Sequence, residues 1–297
     1  MHASADPVLV TGGTGFIAAG LIQALAPTWN VRASQRREAV GPQDYVVGEM
    51  GAGADWRRAL EGVGTVIHLA GPSNSYFPDD VLRRGIVGGT QELLEQATMA
   101  GVRRFIFVSS MKACADSSEG PPLREDGAPR PSDAYGRSKL EAERIVLERP
   151  AINPIVLRPP LVYAASAKGN LSKFLSRLDT PAPLPFGGVK NQRSLIALPS
   201  LLEAIIAVLQ HESEPVGVFH VADEPAVSTP QMAMLLRQGM GRPSRLFAMP
   251  GFEAFAPPPL VRSLAVDTSK FRATFNYSGI DTREGLVACG KAWRDAH

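Results

Sequence analysis

An α/β fold, with a doubly wound parallel sheet and a smaller C-terminal domain, is predicted for this 297-residue chain. Two observations predict it. Short apolar runs alternate with helical patterns through the first half of the chain, and the alternation becomes irregular after Arg158, where prolines cluster. Short apolar strands separated by helices of this length are typical of βαβ units, whose parallel sheet is buried on both faces.

The elements follow from these patterns in order. The apolar runs that predict strands are 8–10, 31–34, 45–47, 65–69, 105–108 and 154–157. The segments with helical spacing are 15–26, 55–60, 79–100 and 134–148. The first domain is therefore predicted over 1–160 and the second mainly over 161–297. A helical pattern over 193–209, followed by an apolar run at 218–221, predicts that the chain rejoins the first domain at about 190–222.

Composition excludes several classes of protein. The chain is 44% hydrophobic and 20% charged, which is typical of a globular domain, and its net charge of +2 gives no argument for nucleic acid or a membrane surface. Cys114 and Cys289 form no disulfide framework and lack the spacing of metal ligands, so no metal site is predicted. Residues 1–7 lack a basic region followed by an apolar run, and the apolar run 201–209 is too short to span a bilayer. We expect a cytoplasmic protein.

A glycine-rich turn lies between the first strand and the first helix. Gly12 can adopt a tight-turn conformation, Gly15 leaves room for a pyrophosphate, and Ala18 stands where a third glycine usually allows close packing. Phosphates would then meet unpaired N–H groups at the positive end of the helix. The alternative is an ordinary tight turn. The interpretation as a Rossmann-type dinucleotide site assigns the cofactor to Gly12, Thr14, Gly15, Phe16 and Ile17.

The end of the second strand bears on the choice of cofactor. It carries Arg36 and Arg37 where NAD-binding folds place a carboxylate for the ribose, and two guanidiniums there could pair with a 2′-phosphate. This favours NADP, while NAD stays open because Glu38 could reach a ribose and the arginines could be solvated surface charges. Glu49 is expected near the adenine. Small residues after the fourth strand would let the cofactor lie close, and these are Leu69, Ala70 and Gly71.

A tyrosine and a lysine four residues apart share one face of a predicted helix. Tyr135 is a poor acid–base group at neutral pH, and an ammonium such as that of Lys139 favours the phenolate form. Ser110, at the carboxyl end of the fifth strand, could donate a hydrogen bond to the same substrate oxygen. The alternatives are a surface pair for the tyrosine and lysine, and turn capping for Ser110 or Ser109. We interpret His68 as a packed histidine.

Taken together, these motifs resemble the extended short-chain dehydrogenase/reductase family. The resemblance is carried by TGGTGFI (11–17), HLAG (68–71), FVSSMK (107–112) and YGRSKLEAE (135–143), and beyond the first domain by LRPPLVY (157–163), KGN (168–170), LPFGGVKNQRS (184–194) and VDTSK (266–270). Within its NAD(P)-dependent nucleotide-sugar epimerase/dehydratase branch, the chain is most similar to 4-ketoreductases of UDP-N-acetyl-6-deoxyhexoses, and then to UDP-glucose 4-epimerases.

The resemblance implies roles for individual residues. It makes Ser110, Tyr135 and Lys139 the catalytic triad, and it makes the C-terminal domain the substrate-binding one. Asn170 and Arg193 would bind the pyrophosphate of the nucleotide sugar. It also leaves open a homodimer through a helical bundle.

The chain departs from the family pattern at three places. Ile86 stands where asparagine is common, and Ala164-Ala165 replaces the usual Gly-Pro. Met111-Lys112 replaces the Asp-Glu of dehydratases, which argues against a 4,6-dehydratase. Lys112 is assigned to substrate contact, with a solvated lysine as the alternative.

Three functions follow as hypotheses. The first is NADPH-dependent reduction of a 4-keto nucleotide sugar, of the UDP-4-keto-6-deoxy-N-acetylhexosamine type, with Tyr135 as proton donor. The second is an NAD-dependent C4 epimerase that uses the same residues. The third is a non-enzymatic NADP-binding regulator, and the retained Tyr135–Lys139 pair argues against it.

Overall fold

The computed structural model describes residues 6–73 and 76–297, so most of the 1–7 stretch lies outside the described residues. The chain divides into two compact units. The first comprises the described part of Met1–Asp116 together with Glu125–Arg158 and Ile205–His220, and the second comprises Ser117–Arg124, Pro159–Ala204 and Val221–His297.

Short strands pair into two sheets within the described residues. In chain order the strands are β1 (Val8–Val10), β2 (Val31–Gln35), β3 (Asp44–Val46), β4 (Thr65–His68), β5 (Arg104–Val108), β6 (Pro154–Arg158), β7 (Leu161–Tyr163), β8 (Leu195–Ala197) and β9 (Gly217–His220). Seven of them form the sheet of the first unit in the order β3-β2-β1-β4-β5-β6-β9, and every neighbouring pair is parallel. The predicted doubly wound α/β fold is confirmed.

The order of the strands positions the site. The chain leaves β1 toward β2 and β3 on one side and returns to β4 on the other, so the strand order reverses between β1 and β4. Ligands of open α/β sheets bind in the crevice outside the carboxyl ends of the strands at such a point. The glycine-rich turn follows β1 at this place, and the small residues 69–71 follow β4.

Helices connect the strands. They are α1 (Phe16–Leu25), α2 (Arg57–Leu60), α3 (Asp79–Leu82), α4 (Gly89–Met99), α5 (Ala134–Leu147), α6 (Asn170–Leu178), α7 (Leu198–Gln210), α8 (Thr229–Gly239), α9 (Phe252–Phe255), α10 (Pro258–Val261), α11 (Ser269–Phe275) and α12 (Thr282–Ala296). The predicted single helix over 79–100 is wrong in one respect, because Arg83–Gly88 forms a π-helical segment. A Cβ at Gly85, within that segment, would come 2.9 Å from Cδ of Pro72, so the chain there packs closely on the turn after β4.

The core of the first unit lies between the sheet and its helices. Trp56 and Phe105 are fully buried in it, and Phe107 is almost so. Aromatic side chains of this size each remove some 150–250 Å² from water, which makes them the largest contributors to such a core. The five residues of β5 and the five of β6 are all buried, as expected for central strands of a parallel sheet.

One sequence-based boundary needs correction, at the start of α7. The predicted helix over 193–209 begins only at Leu198, because Leu195–Ala197 pairs with β7 as a parallel strand. β9 pairs with β6 in the sheet of the first unit, and it lies within the range 190–222 over which we predicted a return to the first domain. Ser117–Arg124 groups with the second unit because the Ser118 N–H donates to the Ser263 carbonyl (2.8 Å) and the Leu123 N–H donates to that of Ala265 (2.9 Å).

The second unit has its own core, around α8 and α12. These helices pack so closely that a Cβ at Gly239 would overlap the carbonyl oxygen of Val287. The buried guanidinium of Arg237 donates to the carbonyl oxygens of Leu178, Thr180, Ala182, Pro243 and Arg245. One side chain therefore joins the end of α6 and the loop that follows it to the loop after α8. Over the described ranges, none of the helices has the length and apolar character needed to cross a membrane.

Candidate active site

The glycine-rich turn is held between the ends of β2 and β4. Gly12 has φ of +72°, and a Cβ there would come 3.0 Å from Cα of Ala70. The N–H of Gly12 donates to Oγ of Ser34 (3.2 Å), and the N–H groups of Leu69 and Ala70 both donate to Oγ1 of Thr11 (3.0 Å each). The turn is therefore rigidly placed at the reversal of strand order.

The N-terminus of α1 opens from this turn. Its N-cap is Gly15, with no side-chain capping hydrogen bond, and Thr14, Gly15 and Phe16 are exposed. The first N–H groups of a helix have no intrahelical partner and carry partial positive charge. This end can accept a pyrophosphate, and a dinucleotide fits the residues present.

The end of β2 carries cations. Gln35 is buried, and its Nε2 donates to Oδ2 of Asp44 (3.2 Å), while Arg36 and Arg37 are exposed directly after it. Asp44 Oδ2 also accepts from the N–H groups of Val40 and Gly41, so this carboxylate closes the loop after β2. Glu49 is exposed beyond β3.

His68 is part of the framework. It is 1% exposed, with Nδ1 2.9 Å from Oγ1 of Thr11 and Nε2 3.1 Å from Oγ1 of Thr90. Burial, with a smaller effect from the ammonium of Lys139, lowers the pKa of His68 to about 3. The histidine is thus neutral and packed, as the sequence indicated.

Ser110, Tyr135 and Lys139 come together at the end of β5. Ser110 follows this strand, and the other two lie one turn apart on α5. The turn that Ser110 caps packs on α5 next to Tyr135, where a Cβ at Gly136 would overlap the carbonyl oxygen of Lys112, and both Tyr135 and Lys139 are buried. A hydroxyl, a phenol and an ammonium at the carboxyl end of the sheet form an arrangement that can hold and transfer a proton.

The ammonium of Lys139 is directed toward the sheet. Its Nζ donates to the carbonyl oxygen of Val108 (3.2 Å) and lies 4.7 Å from the centre of the Phe107 ring. Burial lowers the pKa of Lys139 to about 8, and the carboxylate of Glu143 opposes this effect.

The phenol differs from the sequence-based expectation. We expected Lys139 to favour the phenolate, but burial raises the pKa of Tyr135 to about 12, against a smaller lowering by the Ser110 side chain. Desolvation of the phenolate is the largest influence on this group, so the nearby ammonium does not bring the pKa of Tyr135 below its ordinary value. Tyr135 is therefore protonated at neutral pH.

Lys112 is held by carboxylates. Its Nζ lies 2.7 Å from Oδ1 of Asp116 and 2.6 Å from Oδ2 of Asp133, and the side chain is 40% exposed. Asp133 is also the N-cap of α5, where its Oδ1 accepts from the N–H of Gly136 (2.7 Å). Sequence reasoning did not identify either carboxylate.

A second buried network was missed. Glu143, two turns after Tyr135, pairs with Arg158 at the end of β6 (Nη2–Oε2 2.6 Å), and Ser109 Oγ donates to its Oε1 (2.5 Å). Ser109 is thereby engaged beneath the site, while Ser110 caps the Met111–Ala113 turn. The eight-residue spacing of Tyr135 and Glu143 on one helix was the available signal.

The two residues assigned to the substrate pyrophosphate belong to the second unit. Asn170 is exposed at the start of α6, after Gly169 with φ of +73°. Arg193 is half-buried, with Nη1 donating to the carbonyl oxygen of Arg262 (3.1 Å) and its backbone paired with that of Val227. Among the described residues, no group of three or more His, Cys, Asp or Glu could hold a metal ion.

Known proteins resemble the chain over most of its length. The model of the NAD dependent epimerase/dehydratase family matches residues 8–222. A UDP-glucose 4-epimerase of Vibrio cholerae is 30% identical over 259 residues, which cover 82% of this chain and 78% of that protein.

Solved structures share the fold. The structure of MoeE5 in complex with UDP-glucuronic acid and NAD matches with a TM-score of 0.78 and 25% identity, over 98% of this chain and 100% of that one. A short-chain dehydrogenase/reductase superfamily protein from Agrobacterium tumefaciens with bound NAD matches with a TM-score of 0.82 and 21% identity, over 98% and 97%.

Proposed function

Because the chain belongs to the NAD-dependent epimerase/dehydratase family, we propose that it transfers hydride at C4 of a nucleotide sugar, with Tyr135 as the acid–base group. The observation that carries this proposal is that the turn capped by Ser110 after β5 packs on α5 beside Tyr135, one helical turn from the buried ammonium of Lys139. The residues match the catalytic set that the sequence motifs imply.

The cofactor would lie across the carboxyl ends of β1, β2 and β4. The uncapped N-terminus of α1 supports binding of the pyrophosphate, and the turn around Gly12 lets the backbone approach it. A bound nicotinamide dinucleotide supplies the site that gives or takes the hydride. The exposed Arg36 and Arg37 support recognition of a 2′-phosphate, so we propose NADP as the cofactor.

The side chains perform the proton transfer. In the reducing direction, the carbonyl carbon gains a hydride and its oxygen gains the proton of the Tyr135 hydroxyl. Ser110 stabilises the negative charge that develops on this oxygen by a hydrogen bond. Lys139, protonated below pH 8 or so, favours the tyrosinate that remains until solvent restores its proton.

The net reaction that we propose is reduction of a 4-keto nucleotide sugar of the UDP-4-keto-6-deoxy-N-acetylhexosamine type. With its pKa raised to about 12 by burial, Tyr135 carries a proton at neutral pH, and the reducing direction requires this protonated form. In the second unit, Asn170 and Arg193 are the candidates for contacts with the pyrophosphate.

C4 epimerisation is the second candidate. The Vibrio cholerae relative, a UDP-glucose 4-epimerase, covers 82% of the chain, and both structures described above contain NAD. An epimerase would use Tyr135 first as base and then as acid, with the cofactor returned to its starting state. The comparisons favour this reaction, whereas the arginines after β2 favour the reductase.

Two parallel assays separate the reactions. In the first, the protein is mixed with NADPH and UDP-4-keto-6-deoxy-N-acetylglucosamine, and the nicotinamide absorbance is followed. In the second, it is mixed with UDP-glucose or UDP-N-acetylglucosamine and a catalytic amount of NAD⁺, and the sugar products are resolved by proton NMR. Stoichiometric loss of NADPH without epimer formation is expected. Epimer formation in the second assay, with no loss of NADPH in the first, would replace the reductase by the epimerase.

A further inference from the structure

We propose that Lys112 is a positioning residue that holds the Ser110 hydroxyl against the Tyr135 phenol by joining the turn after β5 to the first turn of α5. The sequence analysis assigned Lys112 to substrate contact, and its two ion pairs favour this different role. The inference rests on the proposed function, because that function makes Ser110 and Tyr135 the reacting pair.

One end of the connection is the first turn of α5. The ammonium of Lys112 lies 2.6 Å from Oδ2 of Asp133, and Oδ1 of the same carboxylate accepts from the N–H of Gly136. Tyr135 lies between Asp133 and Gly136 in the chain. The carboxylate therefore links the ammonium directly to the helical turn that carries the phenol.

The other end is the turn that carries the hydroxyl. The backbone N–H of Lys112 donates to Oγ of Ser110 (3.2 Å), which caps the Met111–Ala113 turn. Lys112 thus contacts Ser110 through its backbone and the helix of Tyr135 through its side chain. A single residue therefore connects the turn of Ser110 with the helical turn of Tyr135.

A second carboxylate closes the arrangement. Nζ of Lys112 lies 2.7 Å from Oδ1 of Asp116, whose Oδ2 accepts from the N–H of Ser132 (2.9 Å) and from the hydroxyl of that residue. The segment that leads into α5 is therefore fastened to the same ammonium from two sides. Without the lysine, Asp116 and Asp133 would repel one another at this junction.

The backbones at the junction are in close contact. A Cβ at Gly136 would overlap the carbonyl oxygen of Lys112, so α5 lies directly on the turn after β5. Because this contact involves the backbones of both segments, a small displacement of the turn is expected to displace Tyr135 as well. In catalysis, a misplacement of the order of 1 Å can lower the rate by roughly a hundredfold.

The ammonium is poorly suited to bind a substrate phosphate. Two of its three donors are taken by carboxylates, and a phosphate beside Asp116 and Asp133 would meet two like charges. The pairs are partly exposed, so their removal is expected to leave the fold intact. Because the fold is expected to persist, substitution of Lys112 can test its positioning role.

The first test reports on Tyr135 without turnover. The full chain is labelled with 3-fluorotyrosine, and the ¹⁹F resonance of Tyr135 is assigned as the one absent from Tyr135→Phe. Ser110→Ala defines the position of this resonance when the Ser110 hydroxyl is absent. Lys112→Met is expected to move the resonance toward that position, and Lys112→Arg is expected to leave it near that of the parent. The matched control is Arg83→Met, which removes an exposed ion pair with Glu141, a residue of the helix that carries Tyr135. If the Tyr135 resonance of Lys112→Met has the same chemical shift as that of this control, the proposal is overturned.

The second test separates positioning from substrate binding. Lys112→Met is expected to lower kcat roughly tenfold to a hundredfold, with KM for the nucleotide sugar within about twofold of the parent, and Lys112→Arg is expected to recover most of the rate. A raised KM at unchanged kcat would identify a substrate ligand and overturn the proposal. If the parent protein turns over no nucleotide sugar, the proposed function fails, while the ¹⁹F measurement still decides whether Lys112 positions Tyr135.

Discussion

Nη2 of Arg158 lies 2.6 Å from Oε2 of Glu143, and the two side chains are only 5% and 1% exposed. The pair connects the end of β6 to α5, two turns beyond Tyr135, and Ser109 donates a further hydrogen bond to the same carboxylate. Glu143 also lies one turn from Lys139 on α5, so a buried ammonium and a buried ion pair are neighbours along this part of the helix.

Removal of one partner of this pair is predicted to destabilise the protein strongly. Glu143→Gln leaves the Arg158 guanidinium buried without a counter-charge, which typically lowers the free energy of unfolding by about 3–5 kcal/mol. Urea denaturation followed by circular dichroism measures the change. Glu141→Gln removes the exposed pair with Arg83 on the same helix and is expected to cost about 0–1 kcal/mol. Equal decreases in the free energy of unfolding for the two variants would show that the buried pair stabilises the protein no more than the exposed pair does.

His68 is predicted to make the protein sensitive to acid. Its pKa is about 3 in the folded chain, against an ordinary value of 6.5, so the unfolded chain binds more protons between these values. Its contribution to stability is fully present above about pH 6.5 and is lost as the pH falls toward 3, with a slope of at most about 1.4 kcal/mol per pH unit. His68→Gln should flatten the dependence of unfolding free energy on pH between 6.5 and 4. Parallel curves for the two proteins would contradict the assignment of a buried neutral histidine.

The arginines after β2 are predicted to select the cofactor. Arg36→Ser combined with Arg37→Ser should weaken NADPH binding by roughly tenfold to a hundredfold and leave NADH binding almost unchanged, because charged hydrogen bonds of this kind contribute about 1.5–3 kcal/mol. Titration calorimetry with both cofactors gives the ratio of the NADPH and NADH dissociation constants for each protein. Arg58→Ser, which removes an exposed arginine on α2, is the control. Tighter binding of NADH by the parent protein would favour the NAD-dependent epimerase.

The local sequence pattern predicted the strands of the large sheet well. It did not predict pairing between segments that are far apart in the chain. Short apolar runs between helices identified the strands of the first unit, including the returning strand β9, because burial on both faces leaves a clear signature. The pattern places Leu195–Ala197 in a helix, whereas the segment is a strand. Its partner β7 lies more than thirty residues away in the chain, so the local pattern does not reveal the pairing. Nor does helical spacing reveal that Arg83–Gly88 is a π-helical segment.

In the candidate site, the sequence likewise identified the central residues but not their distant partners. Tyr135 and Lys139 are visible from their spacing, and Ser110 from its place after a strand. The surroundings that set their properties are not local. Lys112 meets Asp133 across 21 residues, and Glu143 meets Arg158 across 15. The raised pKa of Tyr135 depends on burial, which spacing alone does not give.

The most direct test of the proposed acid–base role of Tyr135 is a single-turnover comparison of the parent protein with Tyr135→Phe. Each is first titrated with NADPH to establish equal cofactor binding, and is then mixed with UDP-4-keto-6-deoxy-N-acetylglucosamine while the nicotinamide absorbance is followed. We predict that the parent oxidises NADPH and that Tyr135→Phe, with its cofactor affinity retained, does so at least about a hundredfold more slowly. Equal rates of NADPH oxidation in the two proteins would contradict the assignment of Tyr135 as the proton donor.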